Sequence, residues 1–215
     1  IRQTYKRSED MKKNPFIGIA GNIGVGKTTF TSYLAKEFNL LDVYESVTNN
    51  PYLSDFYGDM HRWSFNLQIY FLHHRFSSII DITKSKSGFV QDRTIYEDVE
   101  IFSKNLHQMG FMDDRDWETY SDLFKNMTKF LKTPDLIVYL KADLDTLIDR
   151  IQKRSREYEA TIDPKYLKSL NHLYNQWIEN INWTKVLVVD TNAFNIFEDK
   201  DKLKSIFNDI TKKLG

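Results

Sequence analysis

Two periods of apolar residues alternate along the chain. Short runs that are wholly or mostly apolar stand at residues 16–20, 40–44, 89–91, 136–140 and 186–189. Runs of this length, bounded by Pro, Gly, Asn or charged residues, predict strands buried on both faces of a parallel sheet. Between them the spacing changes to three and four. Phe30, Leu34 and Phe38 recur every fourth residue, and Trp63, Leu67, Tyr70, Phe71 and His74 share one face of a helix predicted over residues 52–83. Further helices are predicted at 97–108 and 115–131, the second stopped by Thr133-Pro134 because the residue before proline disfavours helical geometry. Asp143 can cap a helix carrying Leu144, Leu147, Ile148 and Ile151, and two more helices follow at 163–180 and 197–212.

Strands alternating with helices imply right-handed crossovers, hence an α/β fold: a five-stranded parallel sheet flanked by helices. No repeat or low-complexity segment interrupts it. The expected organisation is a loose polar arm over residues 1–13 and a single domain over 14–215. In such sheets ligands sit beyond the carboxyl ends of the strands. That rule brings together three polar stretches distant in sequence: Gly21 to Thr28 after the first strand, Glu45 after the second and Asp92 after the third.

The first stretch, Gly21-Asn22-Ile23-Gly24-Val25-Gly26-Lys27-Thr28, reads G-x-x-x-x-G-K-[ST], and Thr29 follows. This is the phosphate-binding loop of P-loop NTPases and kinases, and it has the strand before it and the helix after it that such a loop requires. Its glycines let main-chain N–H groups close around an anion. Lys27 adds a positive charge where the β- and γ-phosphates of ATP lie, and Thr28 offers a hydroxyl to Mg²⁺.

Glu45, after the second strand, can take a proton from an attacking hydroxyl as a general base, or can be a solvated strand-end carboxylate. Asp92 can hold Mg²⁺ directly or through water, and Arg93 offers a planar fork to a carboxylate or phosphate; the pair can equally be a structural ion pair. Arg150, Lys153, Arg154 and Arg156 form a basic cluster running into Glu157-Tyr158-Glu159. It reads as a lid over ATP, spanning about 150–162, or as a solvated face complementing a helix C-terminus. From Phe56 to Arg75, aromatic residues are interleaved with Gln68 and Arg75. Most of these rings belong to the core. Gln68 and Arg75, however, share the apolar face, where polar groups need a ligand or a buried partner, and Asp98 can supply the counter-charge for Arg75.

Composition narrows the field. Lys+Arg and Asp+Glu both number 30 in the 215 residues, which argues against binding nucleic acid by bulk charge. No cysteine is present, so no disulfide or thiolate–metal framework exists, and a reducing cytoplasmic compartment is expected. No apolar run approaches membrane-spanning length, and the five histidines show no zinc spacing.

At this point the chain resembles the deoxynucleoside kinases. The resemblance rests on Gly21 to Thr29, Glu45-Ser46-Val47, Arg62-Trp63-Ser64-Phe65-x-x-Gln68, Asp92-Arg93-Thr94-Ile95-Tyr96-Glu97-Asp98, Pro134 to Leu140, and Arg154 to Glu159. It implies that Glu45 is the base that deprotonates the substrate 5′-hydroxyl and that Arg93 steadies that carboxylate and the transition state. It also implies that Tyr57 and Glu159 hold the sugar 3′-hydroxyl, that Gln68, Arg75 and Asp98 read the base edge, and that Phe102 stacks on the base. Arg150, Arg154 and Arg156 match the lid, and the loop at 190–194 matches the region clasping the adenine of ATP. A homodimer through the helices at about 60–83 and 97–108 is a further implication. One departure is visible: Asp92-Arg93-Thr94 stands where much of the family has Glu-Arg-Ser, so the shorter acid can act on the metal through water. The pairing of Arg75 with Asp98 resembles members acting on purine deoxynucleosides or deoxycytidine, and the general look is that of a small bacterial deoxyadenosine kinase.

Two rivals are weighed against this reading. A nucleoside monophosphate kinase of the thymidylate kinase type shares the P-loop, the Asp-Arg and the lid, but needs extra cations where Glu45 stands. A non-catalytic kinase-like subunit would have lost Lys27, Glu45 or Arg93, and all three are present.

Overall fold

The computed structural model describes residues 12–44, 50–84, 86–156, 159 and 162–215. Each apolar run forms a strand: β1 (Phe16–Ala20), β2 (Leu41–Val43), β3 (Phe89–Asp92), β4 (Leu136–Lys141) and β5 (Lys185–Asp190). Among the described residues these make one parallel sheet in the order β2-β3-β1-β4-β5. The central strand β1 is buried throughout, which explains its unbroken apolar run; β3 is buried throughout as well, although it ends in the polar Gln91 and Asp92. The edge strand β5 leaves Val188 51% exposed.

Side-chain alternation sends the strands' residues to two different layers. Ile17, Ile19, Val90, Val138 and Leu140 pack under α1 (Lys27–Phe38) and α9 (Lys200–Leu214), meeting Phe30, Leu34, Leu203, Ile206 and Ile210. Ala20, Ile137 and Tyr139 face the other way, toward Leu170, Leu173, Tyr174 and Trp177 of α8 (Pro164–Asn180). A third cluster, Leu72, Ile79, Ile95, Val99 and Tyr120, joins α3 (Met60–Lys84) to α6 (Asp114–Thr128). None of the helices formed by the described residues is long and apolar enough to cross a membrane.

The structure departs from the predicted elements in four places. The helix expected over 52–83 is two: α2 (Leu53–Gly58) and α3. Asp59 lies between them in a non-helical conformation (φ −148°, ψ 88°), and its carboxylate accepts from the N–H of Arg62 at 3.0 Å, capping α3. The helix expected from 97 starts two residues earlier, because Thr94 and Glu97 form a reciprocal capping box. It runs as α4 (Ile95–Glu97), a wide π-helical turn (Asp98–Ser103) and α5 (Lys104–Gln108). The helix expected over 115–131 ends at Thr128, where turn bonds from Phe130 N–H to the Met127 carbonyl and from Leu131 N–H to the Thr128 carbonyl take over before Pro134 is reached. Finally, α9 starts at Lys200 rather than 197. The remaining helix, α7 (Leu144–Arg154), follows Asp143 as expected.

Candidate active site

A cleft of roughly 1310 Å³ opens at the carboxyl ends of β1, β3 and β4. It exceeds the usual single-ligand pocket and has room for two small ligands end to end.

One end is the P-loop. Ile23 to Thr29 line the cleft, whereas Gly21 and Asn22 lie beneath the lining residues. Gly24 has φ +84°, and a Cβ there would come within 2.7 Å of Cγ1 of Ile151, so the loop can lie against α7 only with glycine at this position. Asn22 is buried and fastens the loop to α8. Its Nδ2 donates to the Leu167 carbonyl (3.0 Å) and to Oδ1 of Asn171 (2.7 Å), and its own Oδ1 accepts from the N–H of Ile23. Lys27 folds back over the loop, Nζ donating to the Asn22 carbonyl at 3.1 Å. Thr28 Oγ1 donates to Oδ2 of Asp92 at 2.6 Å. The other carboxylate oxygen, Oδ1 of Asp92, is buried with no hydrogen-bond partner among the described residues. A hydroxyl and a half-satisfied carboxylate at a phosphate cradle are the hard oxygen donors a divalent cation takes.

Arg93 sits at the centre. Its backbone is left-handed (φ +67°), an uncommon conformation for a side chain of this size. Its N–H still donates to the Ile19 carbonyl (3.0 Å), so the turn comes immediately after the sheet ends. Nη1 donates to the Tyr174 hydroxyl (2.9 Å), and the guanidinium lies 4.1 Å from the centre of the Phe102 ring.

Beneath Arg93 is a residue that was not singled out in the sequence, Glu97. It is fully buried. Its carboxylate accepts from the Gly21 N–H (3.3 Å), the Thr94 N–H (2.7 Å) and hydroxyl (3.1 Å), and the Tyr174 hydroxyl (2.7 Å), with Nη1 of Arg93 at 3.9 Å. One carboxylate thus ties the entry to the P-loop, the turn carrying Arg93 and helix α8. The signal for it was in the sequence: Thr94-x-x-Glu97 before an apolar run is a capping-box pattern. Glu97→Gln removes the charge and leaves one donor without its acceptor. The expected loss is about 2 kcal/mol, seen as a fall of roughly 4–8 °C in Tm by calorimetry; an unchanged Tm would show that the four contacts carry no net stability.

The far end of the cleft is lined by Tyr57, Gln68, Phe71, Asp98, Phe102 and Glu159. Arg75 lies behind this lining. Nε and Nη2 donate to the two oxygens of Asp98 (2.7 and 3.0 Å), and Nη1 donates to the Arg93 carbonyl (3.0 Å). The polar residues on the apolar stripe of α3 therefore meet buried partners, and Asp98, held by Arg75, lines the cleft. Arg154 grips Glu159 through two nitrogens, its Nε at 3.1 Å, and Arg156 Nη1 stands 3.5 Å from the same carboxylate.

Arg150, grouped in the sequence with the lid, serves differently. It sits mid-helix in α7 and donates to the Val25 carbonyl (3.3 Å), to Oγ1 of Thr191 (3.0 Å) and to the Thr191 carbonyl (2.6 Å). Burial lowers its pKa from the ordinary arginine value, but three carbonyl and hydroxyl acceptors hold the cation in place. It staples the P-loop to the loop after β5, whose residues Thr191 to Phe194 line the cleft beside it. The spacing within 150–156 could not show this, because the partner lies 41 residues away. Glu45, and residues 157, 158, 160 and 161 of the expected lid, lie outside the described residues.

A phosphate cradle at one end of a two-ligand cleft, and rings with buried carboxylates at the other, define a P-loop phosphotransferase. The pattern of one such group, the deoxynucleoside kinases, matches residues 17–214, and the chain belongs to that family. It is 39% identical over 206 residues to the deoxyadenosine/deoxycytidine kinase of Bacillus subtilis, covering 95% of each chain. It is 42% identical over 166 residues to the deoxyadenosine kinase of Dictyostelium discoideum, covering 77% of this chain and 67% of that one. Among solved structures, deoxyadenosine kinase from M. mycoides with bound dATP superposes with a TM-score of 0.80 at 30% identity, covering 91% of this chain and 98% of that one. The protein is an enzyme, a deoxynucleoside kinase, with ATP as phosphate donor.

Proposed function

We propose that the preferred acceptor is deoxyadenosine, phosphorylated at its 5′-hydroxyl for nucleotide salvage. The observation that carries this reading is the Arg75–Asp98 pair. A carboxylate locked by a bidentate arginine remains ionised and can only accept, so it favours a base edge that donates, such as an exocyclic amine. Gln68 stands beside it to supply a second acceptor and a donor, and Phe102 supplies a ring face. The Dictyostelium relative's name supports the same preference, and the Bacillus relative's name pairs deoxyadenosine with deoxycytidine, whose base also carries an exocyclic amine.

In this reading ATP lies along Gly21 to Thr29, with its base toward the loop at 190–194. Tyr57 and Glu159 hold the sugar 3′-hydroxyl. Glu45 accepts the proton of the 5′-hydroxyl as that oxygen attacks the γ-phosphorus in line and the bond to the β-phosphate oxygen breaks. Lys27, Arg93, Arg154 and Arg156 neutralise the charge that spreads over the transferred group. Thr28 and Asp92 would hold Mg²⁺, which when bound supplies further neutralisation of the phosphates; the half-satisfied carboxylate of Asp92 fits that part. The enzyme acts as a homodimer in this reading, through α3 and the helical segment after Thr94.

The test is ATP-dependent phosphate transfer to the four deoxynucleosides, with dAMP and dTMP as control acceptors. The expected result is the highest kcat/KM for deoxyadenosine and no transfer to either monophosphate. Transfer to a monophosphate alone would overturn the proposal and make Glu45 a structural residue.

A further inference from the structure

Gln68 is an amide, and an amide can be turned over. With its oxygen toward one neighbour and its nitrogen toward the other, it complements one base edge; flipped, it complements the opposite edge. An amino-purine presents a donor at position 6 beside an acceptor at N1. A 6-keto purine presents an acceptor beside a donor. Something must hold the amide if it is to distinguish the two.

In this fold that neighbour is Ser103, at the end of the π-helical turn. Its hydroxyl is fully buried and donates to Oε1 of Gln68 at 3.1 Å, and Gln68 itself is only 2% exposed. The turn brings a residue one helical step beyond Phe102 to the back of the base wall, away from the cleft lining. Behind Ser103 lies Tyr120, also fully buried. Its hydroxyl makes no hydrogen bond among the described residues, and its polar neighbours are Asp98, Ser103 and Arg75. Burial raises the Tyr120 pKa well above the ordinary tyrosine value, so the phenol stays protonated and adds no charge beside Ser103.

We propose that Ser103 is a positioning residue for base selection. By donating to Oε1 it fixes the Gln68 amide so that the oxygen's second lone pair joins Asp98 in accepting from an exocyclic amine, while Nε2 donates to the ring nitrogen beside that amine. The class of base selected is therefore the 6-amino purine, over its 6-keto counterpart. This inference rests on the deoxyadenosine reading above.

Deoxyinosine is the appropriate probe, because it differs from deoxyadenosine only at this edge. The experiment compares kcat and KM for the two nucleosides in the wild-type enzyme, Ser103→Ala and Gln68→Ala, with Tm measured for each. In Ser103→Ala the amide is released, so KM for deoxyinosine falls about tenfold while KM for deoxyadenosine changes by less than about threefold. The kcat values stay as they were, since nothing at the 5′-hydroxyl has changed. A Ser103→Ala enzyme with wild-type discrimination, or with both substrates impaired equally, overturns the proposal. Ser103→Cys, close in size but a poor donor, gives the same comparison should the alanine variant not fold, with a smaller drop in discrimination expected and unchanged discrimination overturning the proposal. If wild-type enzyme does not favour deoxyadenosine, or Gln68→Ala leaves the preference intact, the base-reading assignment itself fails, and Ser103's role with it.

Discussion

Glu45→Gln will lower kcat by about a hundred- to ten-thousand-fold and leave deoxyadenosine affinity within about threefold of wild type. Glutamine keeps the length and the hydrogen-bonding capacity of the side chain but cannot accept a proton. A nucleoside hydroxyl is a weak acid and attacks slowly unless its proton is removed as the bond to phosphorus forms. The charges that surround the reacting group in the proposed complex, Lys27, Arg93 and the lid arginines, stabilise the phosphoryl group and not the departing proton. Loss of the base therefore falls on the chemical step. Single-turnover transfer measured beside equilibrium binding of the nucleoside separates the two effects. A variant with wild-type kcat would remove Glu45 from the role of base.

The second large effect is expected at Arg93. Arg93→Met will reduce kcat by about a hundred- to a thousand-fold, the usual cost of losing one strong donor to transition-state charge. Methionine can occupy the space over the Phe102 ring and, like arginine, has a Cβ, so the left-handed backbone is no more strained than before. Arg75 bonds to the carbonyl of residue 93 and not to its side chain, so that contact survives. The substitution is thus close to a deletion of charge. Arg93→Lys should recover little, because an ammonium group cannot lie flat on the Phe102 ring while reaching Tyr174. Unchanged kcat with a lowered Tm would instead make Arg93 a purely structural ion-pair partner of Glu97.

How much of this was legible in the sequence depends on whether the cause was local. The five strands were, because each is a short, mostly apolar run between stretches of helical spacing, whether it lies buried at the centre or exposed at an edge. The P-loop was, because glycine positions and the lysine are fixed by a local turn. Arg75 stood out as a charge on an apolar stripe, and Asp98 was a ready partner within reach in sequence. The break between α2 and α3 was missed although Gly58-Asp59 marks it; the aromatic stripe runs across the pair and masks it. Glu97 was passed over for the opposite reason. Its capping pattern was visible, but its bond to Gly21 depends on β1 and β3 being neighbours. Arg150 and Ser103 were beyond reach, since Thr191 and Gln68 meet them only once the loop after β5 and helix α3 are in place.

The grip of Arg154 and Arg156 on Glu159 has a thermodynamic consequence. One carboxylate balances two cations, all three side chains line the cleft, and in the proposed complex they serve both ligands. A sugar hydroxyl that draws on Glu159, or a phosphate that draws on either arginine, alters what the others have left to offer. In that complex the two ligands do not bind independently. By linkage, whatever factor ATP imposes on nucleoside affinity, the nucleoside imposes on ATP affinity in return.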